Sequence, residues 1–324
     1  MTARHPSTDL YFVHACADRI ARWWRRGPVQ AVGANSFVAG DTLLMIRRDA
    51  DAVMRRALDW RGRFVYVVDD DIAGAAESAC LPDDYRRRLA AFDSAFHRPL
   101  LDRADSILVS SQPLVDRFAG RPVGRIDPCW RLPFADQAHF DGLAGKAPLD
   151  IVHLGSGSHA GAFAALAPAV AELLQAREDV TFTYVGREAP HPALAAHPRV
   201  RRVPPMRWPR YRRWLGRRRF HLALYPLAAT PFDRARSTNK LLEHAIVGAV
   251  GVYPETWAPA DALGAGALRA PADPAAWGAV LADAAVRRAD LAPVATVAAR
   301  TLTGRGAPAM QRRLWNDILG LEHG

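Results

Sequence analysis

His221-Leu222-Ala223-Leu224-Tyr225-Pro226, then Asn239-Lys240-Leu241-Leu242-Glu243-His244-Ala245-Ile246-Val247, then Ala249-Val250-Gly251-Val252-Tyr253 decide the class of the fold. They read as strand, helix and strand: short apolar runs at 221–225 and 249–253 with a helix at 239–247 between them. Upstream the same alternation continues, with strands at 150–154, 180–185 and 199–203 and helices at 168–176 and 209–218. Strands that alternate with helices make a parallel sheet, and this half reads as a doubly wound domain. Asp273-Pro274 then starts a helix whose buried face is Trp277, Val280, Leu281, Ala284 and Ala285, and 309–321 is amphipathic.

The first half repeats the pattern. Asp51 to Leu58 puts Val53, Met54, Ala57 and Leu58 on one helical face, and Phe64-Val65-Tyr66-Val67-Val68 is a buried strand that stops at Asp69-Asp70-Asp71. A polar helix follows at 84–103, then a strand at 106–110, a helix at 113–119 and a strand at 123–126. Periodicity fails from 127 to 148, where Pro128, Pro133, Gly142, Gly145 and Pro148 read as a linker. The expected organisation is α/β, two Rossmann-like doubly wound domains facing a cleft. Residues 1–147 are the first domain with its linker, 148–305 the second, and 306–324 a C-terminal helix returning to the first.

Of 324 residues half are hydrophobic and 23% charged, a globular balance that excludes a disordered chain. No apolar run reaches the roughly 20 residues a spanning helix needs. The net charge is +10, but 41 of the 43 basic residues are arginine, lysine occurring only at 146 and 240. That bias weakens a nucleic-acid reading of the charge, and 207–219 reads as a surface helix with Tyr211, Trp214 and Leu215 inward and its arginines solvated. No nucleic-acid module accompanies it. Cys16, Cys80 and Cys129 show no CxxC or Cys/His cluster, so neither a disulfide framework nor a zinc site is expected. Arg4 to Cys16 has no apolar core of a secretory leader, so the expected compartment is the cytoplasm.

Open parallel sheets bind ligands at the carboxyl ends of their strands. There the chain has Gly155-Ser156-Gly157-Ser158-His159, whose glycines let backbone amides approach a phosphate or sugar oxygen. His159 is a donor or acid/base candidate, whereas His153, inside a strand, reads as core. In the 232–243 stretch, Ser237, Thr238 or Asn239 can cap a helix whose free amides favour an anion, with Arg236 and Lys240 adding charge. Glu243, three residues beyond Lys240, can accept from two vicinal hydroxyls of a ribose, or form an ordinary pair with Lys240.

Phe232 to Ala245, followed by Gly248 and Val250, resembles the donor-binding segment of the GT-B glycosyltransferases, especially the family-4-like (group 1) enzymes with their KLLE-A pattern. Gly155 to His159 stands where that family has its donor loop, and Val185-Gly186-Arg187 resembles its "VG" strand end. The motif likeness spans about 151 to 252. The resemblance implies a nucleotide-sugar donor held by Gly155, Ser156, Gly157, Ser158, Gly186, Arg187, Arg236, Ser237, Lys240 and Glu243. It also implies a saccharide or lipid-linked acceptor at the first domain, and work in cell-envelope or extracellular polysaccharide synthesis. By position Glu243 matches the ribose-binding glutamate. Where many members have a second glutamate this chain has Ala235, with Asp233 or Arg236 as substitutes. That departure leaves open a non-catalytic GT-B module that binds a partner enzyme or glycan.

Asp69, Asp70 and Asp71, at a strand's carboxyl end, are candidates to bind acceptor hydroxyls, act as base or hold a metal; a capping turn is the plain alternative. With Arg236, Lys240 and a helix start already facing the diphosphate, the expected catalysis uses no metal and no cofactor beyond the nucleotide-sugar co-substrate. Arg19 to Arg26, with Ile20, Trp23 and Trp24, either lies on an anionic membrane surface or forms a surface helix with its tryptophans inward.

Overall fold

The computed structural model describes residues 4–145, 147–155, 157–187 and 191–321. They form two compact units with one six-stranded sheet each. The first unit holds residues 4–131, Ala235–Asn239 and 304–321; the second holds Leu132–Arg234 and Lys240–Thr303. The stretch read as a linker thus divides after Arg131, and five residues from within the second α/β run count with the first unit.

Strands of the first sheet follow chain order: β1 (Val29–Ala31), β2 (Ser36–Ala39), β3 (Thr42–Ile46), β4 (Phe64–Val68), β5 (Ser106–Val109) and β6 (Val123–Arg125). β3 to β6 are parallel, and β1 to β3 form an antiparallel meander at one edge that the sequence reading did not place. All five residues of β3 are buried, so no alternation marks it as a strand. The polar helix is one run, Asp83–Phe92 and Arg98–Arg103 joined by the π-helical turn Asp93–His97.

Helix Pro308–Leu319 completes this unit's core. The Trp315 ring meets Phe12 edge-on at 5.1 Å while its Nε1–H donates to the carbonyl of Tyr11 at 2.7 Å. Gln311 donates to the carbonyls of Leu10 and Asp127, at 2.9 and 2.8 Å.

The second sheet is parallel throughout: β7 (Leu149–His153), β8 (Val180–Val185), β9 (Val200–Val203), β10 (Leu222–Leu224), β11 (Val250–Pro254) and β12 (Ala267–Ala270). Their spatial order is β12-β11-β10-β7-β8-β9, so the chain starts at β7, adds strands on one side, then crosses to β10 on the other. The topological switch point therefore lies between β7 and β10. Leu166, Val170 and Leu174 pack with Ile151, Phe182 and Trp277 in this unit's core. Their helix runs from Ala160 to Ala176, straight through Pro168, where the sequence reading began it. The lost hydrogen bond and ring clash cost about 3 kcal/mol. Burial of eight of the helix's residues, Phe163 and Leu166 among them, outweighs that cost.

The surface-helix alternative, with its tryptophans inward, does not hold for residues 19–26. Arg22 and Arg25 exchange backbone hydrogen bonds of 2.8 and 3.0 Å, leaving Trp23 and Trp24 as the two central residues of a tight turn. Arg25 donates its guanidinium to the carbonyls of Ala17 and Ile20, acceptors that a continuing helix would have consumed.

Candidate functional site

The residues singled out by sequence fall into two groups, one in each unit. In the second unit β7 leads through Leu154 and Gly155 to the short turn Gly157–His159 and helix Ala160–Ala176. Beside it β10 leads to Tyr225 and, further on, to helix Asn239–Ile246. Lys240 ties the two together: its ammonium donates to the carbonyl of Leu154 at 2.5 Å and to the Glu243 carboxylate. An ammonium carries three N–H groups, and the third has no partner among the described residues.

Glu243 is buried, and its Oε2 also accepts from the Tyr211 hydroxyl at 3.0 Å. Burial first, and the adjoining carboxylate second, raise the Tyr211 phenol well above its ordinary pKa, so it stays a neutral donor. The sequence reading put Tyr211 on a buried face without a polar role. Only the fold brings its helix, Trp208–Leu215, to Glu243.

Gly155 has a specific cause. A Cβ there would lie 2.0 Å from Nε2 of His153, so the backbone passes against that ring with no room for a side chain. His153 donates through Nδ1 to the carbonyl of Leu224 at 3.1 Å, and burial, with Lys240 nearby, pushes its pKa down to about 4. His244, also buried and near Lys240, is depressed well below the ordinary histidine value. Both rings are neutral at physiological pH, and Lys240 is the cation of this group. His159 is buried with its ring edge-on to Tyr225 at 5.3 Å. Gly186 donates its N–H to Val203, and Arg187 is exposed. Ser158 is half-buried; Ser156 lies outside the described residues.

In the first unit the aspartates are neutralised one by one. Arg47 reaches both Asp69 and Asp70 at 3.4 Å, and Arg236 reaches Asp70 at 3.4 Å. Asp69 also accepts from the Ser7 hydroxyl, while its buried Oδ1 has no partner among the described residues. Asp71 has a different job: it caps helix Ile72–Glu77 by accepting from the N–H of Gly74 at 2.9 Å and pairs with Arg117 at 2.6 Å. Burial still raises its pKa.

Arg47 is the one described non-glycine residue in the left-handed backbone region, φ +59°, and nothing in its sequence context announced it. Burial alone would depress its pKa, but Asp69 and Asp70 raise it. Arg236 and Ser237 belong to this unit, so the structure groups Arg236 with Asp70 instead of leaving it as a bare charge at the helix start. Ala235 is buried, its carbonyl accepting from Ser111 at 2.7 Å. Asp233 accepts from the N–H of Ala228 and the hydroxyl of Thr230, and its own N–H donates back to Thr230, a reciprocal cap that commits it to its loop.

No family model matches the chain, and no curated protein matches its sequence. Solved structures do. HepE of Anabaena, in complex with UDP and glucose, superposes with a TM-score of 0.59 at 14% identity, over 86% of this chain and 77% of that one. Sucrose-phosphate synthase of Thermosynechococcus elongatus gives 0.55 at 12% identity, covering 81% and 69%. A UDP-forming α,α-trehalose-phosphate synthase of Burkholderia xenovorans gives 0.56 at 12%, covering 86% and 73%. The chain has the GT-B fold. Within this GT-B chain the Lys240 group stands at the switch point of the second sheet, and the Asp69–Asp70 group follows β4 of the first. Among the described residues no helix is long and apolar enough to cross a membrane.

Proposed function

We propose that the protein is a glycosyltransferase that moves a sugar from a nucleotide-sugar donor, a UDP-sugar, to a saccharide or lipid-linked acceptor. It would work from the cytoplasm in cell-envelope or extracellular polysaccharide synthesis. Lys240 carries the reading: an ammonium in the first turn of a helix at a topological switch point, with an N–H to give. That placement suits a departing diphosphate, which the helix-start amides and the cation neutralise together. The UDP and UDP-glucose bound by HepE support the choice of nucleotide.

Glu243 takes the ribose hydroxyls, and Gly155, Ser156, Gly157, Ser158, Gly186 and Arg187 supply the remaining donor contacts, with His159 beside the sugar. Asp69 serves the acceptor side, its Oδ1 taking the proton of the attacking hydroxyl. Asp70, held by Arg47 and Arg236, fixes the charge around it. Because guanidinium groups already balance both carboxylates, the reaction is proposed to need no divalent ion. Full loss of turnover in EDTA, restored by magnesium or manganese, overturns that part.

Calorimetry with UDP and with uridine tests the donor site. Glu243→Ala is expected to weaken both ligands by about 1.5 to 3 kcal/mol, the range for hydrogen bonds to a charged group. Lys240→Ala is expected to weaken UDP far more than uridine. UDP affinity unchanged in both variants overturns the assignment.

A further inference from the structure

The turn at Trp23-Trp24 puts two of the largest side chains into solvent, 93% and 63% exposed. Neither residue has positive φ, so the tight turn holds them without backbone strain. Two adjacent indoles left in water make an apolar patch at its tip, the kind of surface that meets a partner or a membrane.

The turn is also held rigid. Arg25 clamps its base to Ala17 and Ile20, Ile20 is buried, and Gly27 passes so close that a Cβ would lie 2.3 Å from the Arg19 carbonyl oxygen. At the tip the indoles pack edge to face at 5.1 Å, and the Arg22 guanidinium stands 5.7 Å above the Trp24 ring. Arg22 and Arg26 are exposed. Asp18, the single carboxylate in residues 17–30, is paired with Arg312 at 2.8 Å.

We propose that this turn docks the protein on an anionic lipid surface, with Trp23 and Trp24 seated at headgroup level and Arg22 and Arg26 on lipid phosphates. Indole, apolar in body with one N–H, settles at that boundary. Neighbouring basic side chains draw the tip to negative lipid and to no neutral one. A protein occupant fits poorly. Two indoles offer at most about 500 Å², below the roughly 800 Å² per partner of a specific protein interface.

Co-sedimentation with phosphatidylcholine vesicles, with and without a third of phosphatidylglycerol, tests the proposal independently of any enzymatic activity. The wild-type chain should pellet with the anionic vesicles, stay in solution with the neutral ones, and be released by salt. Trp23→Ser/Trp24→Ser should cut the bound fraction at least about tenfold. Arg22→Glu/Arg26→Glu should cost roughly fivefold per arginine removed. Both variants should melt like the wild type, because neither pair lies in the core. Failure to pellet, equal pelleting with neutral vesicles, or variants that bind like the wild type overturns the proposal. So does a concentration-dependent elution shift in gel filtration that the tryptophan variant abolishes, which would assign the turn to self-association.

Discussion

The two polar groups use opposite designs. In the first unit two carboxylates face two guanidiniums: Arg47 spans Asp69 and Asp70, and Arg236 closes on Asp70 from a distant part of the chain. In the second, one ammonium is shared between a carboxylate and a backbone carbonyl, and rings neutral at physiological pH stand around it. Several partners per charge fix a geometry, whereas one cation with a donor to give can exchange partners when an anion arrives. The contrast teaches that arginine serves the fixed cluster and lysine the exchangeable one, in a chain whose sequence otherwise avoids lysine.

The contrast breaks most visibly at Arg47. Removing Arg47 leaves Asp69 without a cation among the described residues and Asp70 with Arg236 alone, at about 3 kcal/mol, the low end for breaking a buried pair because Arg47 and Asp69 are half-buried. Arg47→Ala should therefore lower the denaturation free energy by that order in urea unfolding, and Arg47→Gly by about 1 kcal/mol less, because glycine adopts φ +59° without strain. An unchanged midpoint for Arg47→Ala would show that the cluster is not under electrostatic tension.

Acid acts on both units at once. His97 in the first unit and His153 in the second are each pushed down to about 4, chiefly by burial, from an ordinary value near 6.5. In the unfolded chain each takes up a proton below about pH 6.5, while the folded form resists until about pH 4. Stability therefore falls as pH falls through that window and levels off below it. Between pH 6.5 and 5 each histidine should account for about 2 kcal/mol. Denaturant unfolding at pH 7 and pH 5 checks this, with His97→Gln and His153→Gln each expected to flatten the dependence; slopes unaltered in both variants would refute it.

Two smaller changes sharpen the picture of the second unit. Gly155→Ala should destabilise by about 1 to 3 kcal/mol through the clash with His153. His153→Ala in the same chain should relieve most of it, so a double-mutant cycle followed by thermal unfolding reads the contact directly. Tyr211→Phe removes one hydrogen bond to the Glu243 carboxylate, about 1.5 kcal/mol, the low end for a charged acceptor that keeps Lys240. It should weaken UDP binding in calorimetry less than Glu243→Ala does.

Much of this architecture was legible because the buried parallel strands are continuous apolar runs. β4 and β8 were read to the residue, and Asp273 does cap the helix that follows Pro274, accepting from Ala275. The meander of β1 to β3 was not, since its central strand carries no alternation and its edge strand is three residues long. Site residues divide the same way. Lys240 and Glu243, three positions apart in one helix, announce themselves locally, and their bond is local too. Arg47 and Tyr211 act across 23 and 32 positions of sequence, and partners at that range are set by the fold rather than by spacing. For Trp23 and Trp24 the surface-helix alternative fails, and an Arg/Trp run carries no signal of the turn that replaces it. The turn depends on the Arg25 clamp.

Helix Pro308–Leu319, which supplies Trp315 and Gln311 to the first unit's core, has a consequence for how the protein is made. A ribosome that has delivered residues up to Thr303 has delivered the whole second unit, but the first still lacks Trp315, one of the two rings packed on Phe12. The unit synthesised first is thus the one finished last, and its apolar face stays uncovered while residues 132–303 are made after it. During that interval the early unit exposes the face that Trp315 covers, and a chain released before residue 308 leaves it exposed.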